Sequence, residues 1–201
     1  MGGPCVAGVV LAAGSSSRLG RNKLLLELGG ESLVRRAVRT TLAAHLGPTI
    51  VVLGHEAELV RSELAGLACD VVVNADHARG AGSSLRCGVA RASQTRAESL
   101  VLTLADMPLV TPAMLQGLVR CSRETGAPLV VSRYGDVQAP PHLFTRRLFT
   151  ELLASDDENG ARAVVRRHSA ETRVLEWPAP ALKDLDVNDD YDQLRSSFAA
   201  H

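Results

Sequence analysis

Four short runs of this 201-residue chain are apolar almost throughout and rich in β-branched residues. They are Val6–Ala12, Thr49–Gly54, Asp70–Asn74 and Ser99–Ala105. Runs of this kind are typical of parallel strands that helices cover on both faces, because neither face then needs polar side chains. Amphipathic segments separate the runs. This alternation of strand and helix predicts a layered α/β fold with a mainly parallel central sheet.

Apolar residues at helical spacing mark the intervening segments. One helix is predicted to open near Ser32. A second is predicted around Leu59, Val60 and Leu64, and a third after Thr111, which is followed by proline as in many helix starts.

The last third of the chain is less regular. The sequences LVVSRY and TRVLEW predict strands, PPHLFTRRLFTELLA and NGARAVVRRH predict helices, and NDDYDQLRSSFAAH predicts a terminal helix. No segment has the composition of an interdomain linker, so we expect a single domain over residues 1–201.

Charge and hydropathy exclude several classes of protein. Lys and Arg number 22 and Asp and Glu also number 22, so no bulk field attracts the chain to nucleic acid or to a membrane surface. The apolar runs are too short to span a bilayer, and the N-terminus lacks the basic segment of a signal peptide. We therefore expect a cytoplasmic protein with no nucleic-acid partner and no membrane partner.

The first predicted strand runs directly into a small, polar and cationic loop. The residues 13–17 are Ala-Gly-Ser-Ser-Ser, with Arg18 next and Lys23 shortly after. Ligands of open parallel sheets bind beyond the carboxyl ends of the strands, and small residues let backbone amides approach an anion. The glycine spacing fits neither a Walker A loop nor a dinucleotide-binding motif. Taken alone, the loop predicts either a phosphate site or a plain connection.

Two later segments suggest a ligand at the same edge of the sheet. Gly82, Ser83 and Ser84 are predicted to start a helix, whose N-terminus favours an anion, although simple helix capping is the alternative. Asp106 directly follows the fourth apolar run, where a carboxylate can hold Mg²⁺ on a triphosphate or can cap a helix.

Taken together, these segments resemble the MobA-like NTP transferase family of nucleotidyltransferases. LAAGSSSRLGRNK is similar to the family signature LAAG-x-S-x-R-x-G with a lysine after it, and NADHARGAGSSLRCG is similar to a block of the molybdenum cofactor cytidylyltransferase branch. ADMP matches the family's aspartate motif. LKDLDVNDDYDQL resembles its closing motif D-I-D-T-P-E-D-Y, with Asp186 at the position of a second carboxylate. The resemblance extends from Val6 to about Leu194.

The resemblance implies a three-layer Rossmann-like nucleotidyltransferase fold, with a nucleotide-binding half at 1–110 and a second-substrate half at 111–201. It implies that Mg²⁺ is held by Asp106 and Asp186, and that Arg18, Lys23 and Asp106 are catalytic. The implied nucleotide-binding residues are Leu11, Ala12, Ala13, Gly14, Ser15, Ser16, Arg18, Lys23, Gly82, Ser83 and Ser84.

The implied reaction is Mg²⁺-dependent transfer of CMP from CTP to a phosphate of the molybdopterin cofactor, with release of pyrophosphate. The guanylyl branch typically has LAGG where this chain has LAAG, so CTP is expected ahead of another NTP. The implied partners are CTP, a molybdopterin-type phosphate substrate, and a molybdoenzyme or its chaperone.

The chain departs from the family pattern in the region that faces the second substrate in the family. Ala139 stands at a glycine position, and Asp157 and Glu158 replace Gly-Asp. Three alternatives therefore stay open. They are another small-molecule phosphate nucleotidyltransferase, an enzyme like nicotine blue oxidoreductase, and a non-catalytic protein that binds and delivers the cofactor.

Overall fold

The computed structural model describes residues 5–15, 22–155 and 160–182, and these contain nine strands and six α-helices. The strands are β1 (Val6–Ala12), β2 (Glu27–Leu28), β3 (Glu31–Ser32), β4 (Thr49–Leu53), β5 (Asp70–Val73), β6 (Ser99–Leu104), β7 (Leu129–Tyr134), β8 (Val137–Thr145) and β9 (Thr172–Trp177). The helices are α1 (Leu33–Ala43), α2 (Ala57–Ser62), α3 (Ala81–Ser93), α4 (Pro112–Thr125), α5 (Phe149–Leu153) and α6 (Ala161–Arg167).

Seven of the strands form one sheet in the order β5-β4-β1-β6-β8-β7-β9, and β2 and β3 form a separate hairpin. Neighbouring strands of the large sheet are parallel, except that β8 runs antiparallel to both β6 and β7. The predicted α/β fold with a mainly parallel sheet is thus confirmed. Strand β1 has the predicted bounds, whereas β4, β5 and β6 each end one residue earlier than predicted.

Helices cover both faces of the sheet. Successive residues of a strand point to opposite faces, so neighbouring residues of one strand pack against different helices. Val9 of β1 belongs to the same buried cluster as Val89 of α3, and Val10 belongs to the same cluster as Val38 of α1. Residues of α5 and α6 join the first cluster, and residues of α2 and α4 pack on the opposite face. A Cβ added at Gly88 would lie 2.6 Å from Cγ1 of Val9, so the glycine lets α3 approach β1 closely. The three predicted layers are present.

Two predicted helix starts are confirmed by their caps. The Ser32 Oγ accepts a hydrogen bond from the Arg35 amide (3.4 Å) at the start of α1. The Thr111 Oγ1 accepts one from the Met114 amide (3.3 Å), with proline in the first turn of α4. Both side chains satisfy a backbone donor that has no partner within its helix.

The predicted apolar face of the second helix is wrong in part. Leu59 is 55% exposed, while Val60 is fully buried. The helix α2 has only six residues, so it places one residue against the sheet. Leu64 is buried as well, but it lies beyond the end of α2.

The prediction of a helix within PPHLFTRRLFTELLA is also wrong over its first six residues, which belong to β8. Helix α5 occupies the end of that segment. Strand β6 pairs with β8 only beyond the two prolines, and the register between β7 and β8 shifts next to them. Proline has no backbone N–H, so these positions suit the prolines because no regular ladder of hydrogen bonds needs a donor there. The Ser132 hydroxyl donates to the Pro141 carbonyl (2.7 Å) and the Tyr134 hydroxyl to the Pro140 carbonyl (2.9 Å). The predicted terminal helix lies outside the described residues.

In the part of the chain that the model describes, no helix is both long enough and apolar enough to cross a membrane.

A buried histidine makes the stability of this fold dependent on pH. His142 of β8 lies beside Phe144, and its Nδ1 is 3.3 Å from the Ser132 amide nitrogen and 3.1 Å from the Pro141 carbonyl oxygen. Burial lowers the pKa of His142 from 6.5 to about 4. The neutral ring is therefore the form that the folded protein favours.

We predict that the free energy of unfolding falls as the pH is lowered from 7 to 5. In this window the unfolded chain protonates its histidine at 142 while the folded chain does not, so stability is lost as pH falls. His142 alone should account for about 2 kcal/mol. Urea denaturation at several pH values would measure the slope. His142→Asn keeps a polar group near the Nδ1 position and does not titrate, so an equally steep slope in this variant would contradict the assignment.

Candidate functional site

A cavity of about 500 Å³ lies at the carboxyl edge of the parallel strands. It is bounded by the end of β1, the end of β6, the segment before α1 and the loop from β5 into α3. Its lining residues are Leu11, Ala12, Ala13, Gly14, Ser15, Lys23, Leu24, His77, Ala78, Gly80, Ala81, Ser84, Leu104 and Asp106. This is the edge at which open α/β sheets bind their ligands.

An ion pair between Lys23 and Asp106 forms part of the cavity wall. Lys23 opens a short 3-10 turn, and the side chain of the preceding Asn22 accepts a hydrogen bond from the Leu24 amide (3.1 Å). The Lys23 Nζ lies 2.7 Å from the Asp106 Oδ2, and the two side chains are only 15% and 21% exposed. The carboxylate that follows β6 therefore already binds a cation in this structure.

The first turn of α3 is held in place by a buried asparagine. Asn74 follows β5, and its Nδ2 donates to Ser83 Oγ (2.8 Å) and to Ser84 Oγ (3.0 Å). The Ser83 hydroxyl is within hydrogen-bond distance of the Gly80 carbonyl (2.8 Å) and of the Asp76 carbonyl (3.1 Å). These contacts join the β5–α3 loop to the helix start and present Ser84 to the cavity.

Eight of the sequence-predicted site residues share this one cavity, and they are Leu11, Ala12, Ala13, Gly14, Ser15, Lys23, Ser84 and Asp106. Gly82 and Ser83 are buried within the first turn of α3 and do not line the cavity. Ser16, Arg18 and Asp186 lie outside the described residues, as do Asp157 and Glu158. Among the residues that the model does describe, no three His, Cys, Asp or Glu side chains are grouped so as to hold a metal ion.

The sequence analysis assigned no role at this site to Asn74 or His77. Both lie in the loop after β5, which is the carboxyl end of a parallel strand, and that position was the signal that could have identified them. An asparagine directly after a strand is common in plain turns, and a loop histidine is usually solvated. Only the packing of the loop onto its neighbours distinguishes these two residues from an asparagine of a plain turn and a solvated histidine.

This chain matches a family model, and two of its curated relatives show how far the likeness extends. The model, described as the MobA-like NTP transferase domain, matches residues 8–172. Purine catabolism protein PucB from Bacillus subtilis is 30% identical over 99% of this chain and 100% of its own length. Nicotine blue oxidoreductase from Paenarthrobacter nicotinovorans is 42% identical over 52% of this chain and 51% of its own length.

A solved structure matches the same architecture. Rv0371c from Mycobacterium tuberculosis superimposes with a TM-score of 0.85 at 32% identity, covering 98% of this chain and 100% of that one. A complex of the same mycobacterial protein with manganese has also been crystallised.

We predict that Asn74→Ala destabilises the protein by about 1–3 kcal/mol, because two buried hydroxyl groups lose their common donor. Chemical denaturation would measure the loss. Ser84→Ala is the matched control, since it removes one of the two acceptors and leaves the bond between Asn74 and Ser83. A smaller loss in Asn74→Ala than in Ser84→Ala would show that Asn74 does not hold the helix start.

Proposed function

The chain belongs to the MobA-like NTP transferase family, and from this we propose that it transfers CMP from CTP to a phosphate of a molybdopterin-type cofactor and releases pyrophosphate. The observation that carries the proposal is the composition of the cavity. The glycine-serine end of β1, the pair of Lys23 and Asp106, and the first turn of α3 all line it together. Backbone amides at a helix start and a lysine are groups that bind phosphate, and an aspartate is a ligand for the metal that accompanies it.

Asp106 is the one carboxylate among the described lining residues, and its chemistry fits the divalent metal that the family implies. The Asp106 carboxylate is an oxygen ligand of the kind that Mg²⁺ prefers, and it already holds the Lys23 ammonium at 2.7 Å as a stand-in cation. The manganese complex of Rv0371c supports a divalent ion in a relative of this chain. We propose Asp186 as the second ligand. Bound Mg²⁺ would neutralise charge on the phosphate oxygens.

The other proposed roles belong to the chain's own residues. Lys23 would move its ammonium from Asp106 to the triphosphate, and Arg18 would contact the same phosphates. Amides of Gly14 and Ser15 would fix the phosphate chain while the second substrate attacks the α-phosphorus. The attacking phosphate is already ionised near pH 7, so the transfer depends on positioning and charge neutralisation and needs no general base.

A second candidate function is an oxidoreductase reaction, and one comparison favours it. Nicotine blue oxidoreductase is 42% identical to this chain, but the match covers only 52% of the chain. A redox reaction requires an electron donor, whereas nucleotidyl transfer requires a nucleoside triphosphate and yields pyrophosphate. The match to PucB covers 99% of this chain, and the name of that relative refers to purine catabolism and does not describe an oxidoreductase.

We predict that CTP with Mg²⁺ raises the melting temperature more than GTP, ATP or UTP does, because a tighter ligand stabilises the folded state more by mass action. The LAAG and GSSL turns are the basis of this order.

Pyrophosphate release from CTP in the presence of the molybdopterin cofactor then tests transfer directly. A clear preference for GTP would remove the CTP assignment. Consumption of a reduced nicotinamide or flavin donor without pyrophosphate release would favour the oxidoreductase.

We also predict that Lys23→Met and Asp106→Asn change metal binding in opposite directions. Removing the ammonium from Asp106 should strengthen Mn²⁺ binding to the nucleotide-free protein by roughly tenfold, because Lys23 no longer competes with the metal for the carboxylate. The same variant should bind CTP more weakly. Asp106→Asn should weaken Mn²⁺ binding, since the amide carries no charge.

Electron paramagnetic resonance of free Mn²⁺ would measure these affinities. Arg39→Met is a matched control, because Arg39 forms an ion pair with Glu31 and does not line the cavity. An unchanged Mn²⁺ affinity in Lys23→Met would show that the lysine and the metal do not compete for Asp106.

A further inference from the structure

Lys23 lies in a tight turn between two buried residues. Asn22 is 6% exposed and Leu24 is 4% exposed, and Leu24 packs in one buried cluster with residues of β1 and α1. The Leu26 amide donates to the Lys23 carbonyl (3.0 Å) and closes the turn. The backbone at Lys23 is therefore held on both sides, and its side chain leaves the turn toward Asp106.

A side-chain hydrogen bond holds the start of this turn. The Asn22 Oδ1 accepts it from the Leu24 amide (3.1 Å), so the bond bridges the backbone on the two sides of Lys23. Asparagine commonly bonds to the backbone two residues on, and serine does so more weakly. The direction in which the Lys23 side chain leaves the backbone depends on this bridge, because the bond limits rotation of the peptide groups next to Lys23.

The same side chain adds little to the stability of the fold. The Asn22 Nδ2 is buried, and among the described residues it has no hydrogen-bond partner. A buried donor without an acceptor is unfavourable, so it offsets much of the free energy that the bond of Oδ1 provides. Stability alone would therefore favour a residue that offers only an acceptor, and we expect Asn22 to affect the placement of Lys23 more than the free energy of unfolding.

We propose that Asn22 is a positioning residue, which holds the Lys23 ammonium beside Asp106 and directs it to the phosphates of a bound ligand. This inference rests on the proposed function, since that function assigns Lys23 to the triphosphate. A lysine ammonium is a point charge on a flexible stem, so a fixed backbone limits the directions in which it can point. Asn22 does not line the cavity, and it acts on the ligand through Lys23.

The positioning role predicts opposite effects of Asn22→Ala on two kinds of ligand. In the nucleotide-free protein Lys23 competes with a metal for Asp106, so a displaced lysine should strengthen Mn²⁺ binding by about threefold. The displaced ammonium should weaken the binding of CTP and of inorganic tripolyphosphate, each with Mg²⁺, by about tenfold. Electron paramagnetic resonance and calorimetric titration would measure these affinities. Loss of folded structure would instead weaken the binding of all three ligands.

Three further variants test the route through Lys23. Asn22→Ser keeps an acceptor for the Leu24 amide, so it should recover part of the wild-type affinities. In a Lys23→Met background, Asn22→Ala should change the phosphate affinities by less than about twofold, because the effects of two residues that act together are not additive. Ser32→Ala is the matched control. It removes the buried cap of α1, so it should lower the melting temperature and leave all three affinities as in wild type.

Two results would overturn the role of Asn22. One is wild-type affinity for Mn²⁺ and for both phosphate ligands in Asn22→Ala, and the other is an equal loss of phosphate affinity whether residue 23 is lysine or methionine. Melting temperatures of the ligand-free variants show whether each one is folded. Wild type that binds neither phosphate ligand would refute the proposed function. The Mn²⁺ comparison involves no nucleotide, so it would still decide whether Asn22 places Lys23 beside Asp106.

Discussion

The parallel pairing of β1 with both β4 and β6 is the constraint on which the site depends. Parallel strands direct all their carboxyl ends to one edge, so the loops that follow β1, β4 and β6 meet there although they are far apart in sequence. Lys23 and Asp106 are separated by more than eighty residues, yet they form an ion pair at this edge. An antiparallel arrangement of the same strands would place one of these two loops at the opposite end of the sheet.

Backbone contacts and glycines make this edge compact. The Ala105 amide donates to the Leu11 carbonyl (3.0 Å), and the Asn74 amide donates to the Leu53 carbonyl (2.8 Å). Each strand end is therefore joined to the next by a hydrogen bond that continues the sheet into the loops. Gly54 then permits the loop after β5 to close over β4, which a larger residue would prevent. The side of the cavity formed by the strand ends is thus continuous with the hydrogen-bonded sheet.

Local sequence signals predicted the fold and part of the site. The apolar runs, Ser32 and Thr111 gave strands and helix starts because these signals depend on neighbouring residues alone. The antiparallel insertion of β8 was missed, since its prolines and apolar residues fit a helix start as well as a strand. The contacts of Asn74 with the helix start and the place of His77 in the cavity wall were not predicted for another reason. Each depends on contacts with residues from another part of the loop or from another strand, which a single sequence does not display.

In the proposed function, the pair of Lys23 and Asp106 would let one site favour a metal–triphosphate complex over either component alone. An ion pair that is mostly buried gains little net free energy, because the attraction is largely offset by the loss of hydration of both groups. Free Mg²⁺ would have to displace the ammonium and leave it facing a second cation, and a free triphosphate would leave Asp106 facing an anion. The complex of the two offers a cation to Asp106 and an anion to Lys23 at the same time. Every charge then keeps a partner of opposite sign, so in the proposed reaction the metal and the nucleotide would bind to this edge of the sheet as a unit.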